Sequence, residues 1–101
     1  MTVTKVEELR NYEMTVIFND SDPELFEKSK NMLETSFQKR NVSISEKEEW
    51  GSRKLFHAID HIEKGHFNYL TFTTSPDKIN QLNADINVNQ GILKSMICRV
   101  P

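Results

Sequence analysis

His57 and His61 stand four residues apart, and Cys98 is the single cysteine of a 101-residue chain. Two imidazoles at that spacing could hold a metal only if they shared one face of a helix. Here they fall where an extended stretch, Arg53 to Ile59, runs into a polar segment. Their side chains should diverge, and a surface or stacking role is the default. Cys98 sits among alternating apolar residues and reads as a buried, inert thiol rather than a nucleophile. One cysteine also excludes an internal disulfide and a cysteine-built zinc cage. The acidic pairs Glu7-Glu8 and Glu48-Glu49 have neither a partner acid nor a pocket signal and read as solvated surface. Glycines stand only at 51, 65 and 91, which leaves no glycine-rich phosphate loop. The expectation is a protein without catalysis, metal, cofactor or small-molecule substrate.

A binding surface is better supported. Arg53 and Lys54 stand beside Trp50, Phe56 and His57, with Lys64 and His66 across an expected hairpin. Cations interleaved with rings suit RNA, where phosphates take the charges and unstacked bases take the ring faces. The competing reading is a half-exposed strand with its rings in the core and its cations in water. Arg10, Tyr12, Lys94 and Arg99 share that ambiguity, although Tyr12 has the parity of the core residues.

These residues need elements to position them. Tyr12, Met14, Val16 and Phe18 alternate with Asn11, Glu13 and Thr15, which predicts a half-buried strand. Asp22 and Pro23 make a helix start, with Glu24 and Glu27 at its positive end. Leu25, Phe26, Met32, Leu33 and Phe37 form its apolar face, and Lys39-Arg40-Asn41 closes it. A second strand opens at Val42, bends or bulges at Trp50-Gly51 and resumes over Arg53 to Ile59. Asp60 to Gly65 reads as a hairpin loop, and His66 to Thr73 as a third strand. Ser75-Pro76 starts a second helix carrying Ile79, Leu82 and Ile86, which ends between Asn87 and Gly91, before a fourth strand over Ile92 to Val100. The order strand, helix, strand, strand, helix, strand predicts an α+β, ferredoxin-like split βαββαβ fold. Its four-stranded antiparallel sheet would carry both helices on one face and leave the other open.

Length and composition bound the rest. The chain has room for one domain, residues 10–101, behind a loose, acidic extension over residues 1–9. At 37% hydrophobic and 28% charged it can build a modest core, and its net charge of -2 excludes a protein that coats nucleic acid by charge alone. The balance is uneven. Residues 51–101 carry Arg53, Lys54, Lys64, Lys78, Lys94 and Arg99 against Asp60, Glu63, Asp77 and Asp85, and hold every histidine, whereas acids outnumber bases before them. One anion-facing edge would produce that asymmetry. No apolar run approaches the roughly 20 residues of a membrane span, and the start lacks a secretory signal's apolar stretch. A soluble protein of a reducing compartment, without membrane contact, is expected.

Four segments resemble a known family in register. Arg10-Asn11-Tyr12-Glu13 is similar to the Arg-x-Tyr-Glu start of the bacterial small-subunit (30S) ribosomal protein S-six (S6) family. The run from Trp50 to Ile59 resembles its Trp-Gly-x-Arg-(Arg/Lys)-Leu-x-(Tyr/His)-Pro-Ile segment. Lys64-Gly65-His66-Phe67 resembles the start of its third strand, and Asn89 to Met96 with Arg99 its last strand. The resemblance implies the ferredoxin-like fold and a structural, cytoplasmic component of the small ribosomal subunit. Such a protein would bind the central domain of small-subunit ribosomal RNA together with ribosomal protein S-eighteen (S18), whose basic character would supply much of the phosphate neutralisation. Carried over by position, it implies RNA contacts at Arg10, Arg53, Lys54, His57 and Lys94, with Trp50, Leu55 and Phe56 nearer the partner or the core.

This chain departs from the family pattern in three places. Residues precede the Arg-x-Tyr-Glu segment, and Ala58 stands where the family usually has proline. The sequence stops at Val100-Pro101 without the acidic tail that some members extend with glutamate, so no such modification is expected. Two other functions compete with the ribosomal one. One is a small-ligand or acyl-phosphate enzyme on the same fold, which would need a convergent polar pocket. The other is a protein-only interaction module pairing through an exposed strand edge.

Overall fold

A computed structural model describes residues 9–59 and 61–101, the side chain of Phe56 excepted. Six elements follow in order: β1 (Arg10–Phe18), α1 (Pro23–Lys39), β2 (Ser43–Ile59), β3 (Ile62–Thr74), α2 (Pro76–Asn87) and β4 (Ile92–Arg99). The strands form one antiparallel sheet in the order β2-β3-β1-β4, with both helices on one face. This is the split βαββαβ arrangement expected from the element order.

Alternation in β1 decides which face is covered. Met14, Val16 and Phe18 are fully buried and Tyr12 nearly so. Their partners across β3 and β4 (Phe72, Leu70 and Ile97) lie on the same side. Leu33 and Phe37 from α1 and Leu82 and Ile86 from α2 close this core. Phe37 meets Phe72 edge-on at 5.1 Å, and Tyr12 stacks on Phe72 at 5.8 Å. Each such ring, taken from water, contributes on the order of 1.5–3 kcal/mol.

Caps fix the helix ends. The Asp22 carboxylate accepts from the Glu24 amide at 3.0 Å and the Leu25 amide at 3.5 Å, and Asn41 takes the left-handed conformation (φ 56°) just past α1. Ser75 occupies the cap position of α2, but its buried hydroxyl makes no capping bond. The helices are joined by Arg40, which donates from Nε at 3.3 Å and from a terminal nitrogen at 3.2 Å to Asp85. Ser36 donates to the same carboxylate. Arg40, the first cause, and Ser36 hold the Asp85 carboxyl below its usual range.

Three expectations are corrected. The polar stretch from Asp60 to Gly65 is not a loop, because β3 begins at Ile62 and pairs Lys64 with Lys54 and Gly65 with Arg53. His61, with φ 65°, sits in a tight turn; Asp60 lies outside the described residues. Met32 is 41% exposed rather than core, and α1 instead buries Ser29 and Ser36. The reason for Ser29 is close approach, since a Cβ at Gly91 would overlap its side chain. Cys98 is exposed, not buried. Pairing sets Ile97 opposite Met14 over the core, so Cys98, opposite Glu13, falls on the uncovered face. The extension over residues 1–8 lies outside the described residues, and Leu9 is exposed.

Candidate nucleic-acid interface

The uncovered sheet face is built from the other parity of each strand: Glu13, Thr15 and Ile17 of β1, Tyr69 and Phe67 of β3, and Lys94, Met96 and Cys98 of β4. β2 joins this face through a bulge. Glu48 pairs with Tyr69, but Gly51, not Trp50, pairs with Phe67. The extra residue, with Gly51 at φ 82°, switches the uncovered parity from Glu46 and Glu48 to Gly51 and Arg53. The glycine permits the left-handed backbone that this switch requires.

The bulge places Trp50 flat on Tyr69, with ring centroids 5.5 Å apart and planes 5° from parallel. The indole nitrogen donates to Glu48 at 3.1 Å. Arg53 lies over the Trp50 ring at 5.6 Å, and its Nε donates to the Trp50 carbonyl at 3.4 Å. The guanidinium is thus held on a ring face with most of its donors free to point outward, a geometry suited to bidentate binding of phosphate. Tyr69 and Arg53 both pack against Trp50, so this ring serves to hold the arginine more than to receive a base.

Beside this stack is a concavity of about 480 Å³ lined by Arg53, Lys54, Leu55, His57, Ile59, Ile17, Phe67 and Lys94. Of the five residues expected to face RNA, Arg53, His57 and Lys94 therefore share one site, and Lys54 borders it with the opposite strand parity. Arg53, Lys54, His57 and Lys94 are exposed, whereas Ile17 and Leu55 are buried among them. Lys54 faces Lys64 across the hairpin, and like charges at facing positions repel. Arg10 is not part of the site. It pairs with Thr74 at the far end of β1 and has the parity of Tyr12, the helix-covered side. Of the residues expected near a partner, Trp50 is 40% exposed on the open face and Leu55 lines the concavity. The Phe56 side chain lies outside what is described.

Toward the other end the same face is acidic. The Tyr69 hydroxyl donates to Glu13 at 2.8 Å. That bond first, then burial and the charges of Glu13, Glu48 and Glu46, raise the phenol above its ordinary range. Glu13, Glu46 and Glu48 thus make a negative patch next to the cationic concavity. His66, on the opposite side of the sheet, packs on Phe26 at 4.7 Å. Among the described residues no group of His, Cys, Asp and Glu could hold a metal, and no helix is long and apolar enough to cross a membrane.

Sequence reasoning missed Ile17, Phe67 and Tyr69. The signal was present, since Ile17 and Phe67 are apolar residues on the polar parity of their strands and face each other across β1 and β3.

Comparison with known proteins bears on the family and the fold. Residues 11–99 match the family model described as ribosomal protein S6. Small ribosomal subunit protein bS6 of Leptospira biflexa is 31% identical over 91 residues, spanning 90% of this chain and 97% of the relative. The protein of the same name from Dehalococcoides mccartyi is 29% identical over 96 residues, spanning 92% and 86%. In fold, the crystal structure of 30S ribosomal protein S6 from Thermotoga maritima matches with a TM-score of 0.80 at 22% identity, over 92% of this chain and 89% of that one. A split βαββαβ sheet with one open face, and a sequence match running from the first strand to the last, place the chain in the ribosomal protein S6 family of the small subunit.

Proposed function

We propose that this protein is a non-catalytic constituent of the small ribosomal subunit in the cytoplasm, binding the central domain of the subunit's RNA together with S18. The observation that carries the reading is the convergence of Arg53, His57 and Lys94 on one concavity of the uncovered face, with Lys54 at its border. Phosphate there would find Arg53 already oriented and Lys94 within the same lining. The neighbouring carboxylates of Glu13, Glu46 and Glu48 repel a nucleic acid and attract a basic protein, so S18 is assigned to that half, with Trp50 and Leu55 at the boundary. Arg10, at the far end of β1, would be a separate RNA contact.

The test is co-sedimentation of the chain with small subunits, followed by a high-salt wash. Retention at low salt and release at high salt are expected. Failure to co-sediment would count against the reading. One observation favours a protein-only module instead: β2 and β4 are the two edges of the sheet. Self-association of the purified chain with no preference for RNA would support that alternative.

A further inference from the structure

A surface that only follows a phosphate backbone needs cations and little else. The concavity between β2 and β4 has more. Below its rim of Arg53, His57 and Lys94 lie Ile17 and Phe67, an apolar pair on the mostly polar parity of β1 and β3. Ile17 is 9% exposed, and its neighbour across β4 is Lys94, so apolar base and cationic rim are adjacent in one register row. At about 480 Å³ the space falls in the range of small-molecule sites, about 300–1,000 Å³. That is room for one compact ligand rather than a strand.

We infer that this concavity takes a single unstacked nucleotide, its base against Phe67 and Ile17 and its phosphate on Arg53 and Lys94. The inference rests on the RNA-binding reading above and sharpens it, because the RNA so recognised must be single-stranded at that point. Double-helical RNA offers phosphates and hydroxyls but keeps its bases stacked. Aromatic contact with a base tolerates any sequence, since every base has a flat face. The free ring of the site is accordingly Phe67, not Trp50, which already stacks on Tyr69 and carries Arg53.

The experiment is an NMR titration of the full chain with adenosine monophosphate, inorganic phosphate at matched ionic strength, a single-stranded RNA tetramer and a short RNA duplex. Adenosine monophosphate and the tetramer are expected to shift the Ile17 methyl and Phe67 ring signals together with those of Arg53 and Lys94. Phosphate and the duplex should move only the cationic residues. Phe67→Leu, which keeps an apolar side chain of similar reach, should weaken nucleotide binding about tenfold and leave phosphate binding unchanged. Lys94→Gln should weaken both. Shifts confined to the cations with every probe, or no response of Ile17 and Phe67 to saturating nucleotide, would overturn the inference. Equal binding of tetramer and duplex through cations alone would overturn it while leaving the RNA-binding reading intact. Loss of co-sedimentation with small subunits would remove that reading itself.

Discussion

Arg53 illustrates how a single side chain gains a function from its neighbours. Its guanidinium lies on Trp50, which lies on Tyr69, so a flexible cation is ordered before any ligand arrives. Arg53→Ala should therefore weaken RNA binding by roughly 1–3 kcal/mol, measured by filter binding or calorimetry. Trp50→Leu keeps the charge but frees it, and should cost less than Arg53→Ala while leaving the salt dependence unchanged. Equal losses in the two variants would mean that the stack itself contacts RNA. At Gly91 the constraint is steric. The Asn89 amide donates to the Ser29 carbonyl, the Gly91 amide to Asn89, and the Gly91 carbonyl accepts from Asn19. Gly91→Ala would force the new methyl into Ser29 and should destabilise the protein by roughly 1–3 kcal/mol in urea unfolding.

Elements carry the next level. The α1–α2 packing depends on Asp85, whose carboxylate is held by Arg40 and Ser36. A carboxyl with a folded pKa below its unfolded value stabilises the fold above the ordinary carboxylate range near pH 4 and loses that contribution as pH falls through it. Asp85→Asn should lower stability at pH 7 by roughly 1–2 kcal/mol and flatten its decline between about pH 5 and 2. Thermal melts across that range give the comparison, and an unchanged acid slope would show that other carboxylates dominate. The exposed pairs Lys30–Glu49 and Lys47–Glu34, which tie α1 to β2, should contribute little by contrast. In β2 the bulge is the sensitive point. Gly51→Ala places a methyl-bearing residue at φ 82°, and about 1 kcal/mol of strain is expected from equilibrium unfolding.

At the scale of the molecule, the legible part of the fold followed from strong periodicity. Tyr12 to Phe18 alternates up to Ile17, the one apolar residue on the polar parity, and Asp22-Pro23 marks the helix start in both side-chain chemistry and backbone geometry. What failed to read had a physical reason in each case. Glu63 and Lys64 look like a loop because exposed hairpin pairing carries polar residues as readily as apolar ones, and Gly65 is instead buried where a Cβ would meet Ile17. Cys98 was misplaced because Met96 and Ile97 are both apolar, so only the register with β1 decides which faces the core. The concavity was half visible: its cations stood out by charge and family position, but the bulge that aligns them with Ile17 and Phe67 changes parity, and local alternation does not carry across it. Arg10 stood in the same group by family position, yet strand parity puts it on the other face.

RNA binding at the cationic half of an otherwise acidic sheet face is the property on which the proposed function depends. The most direct measurement is the affinity of the full chain for central-domain RNA in the presence of S18, taken over a series of salt concentrations for the unaltered protein and for Arg53→Gln/Lys94→Gln. The unaltered complex should weaken linearly on logarithmic axes as salt rises, and the double variant should show a slope shallower by about 1.4–1.8. Binding that ignores salt, or a double variant with the parent's slope and affinity, would contradict it.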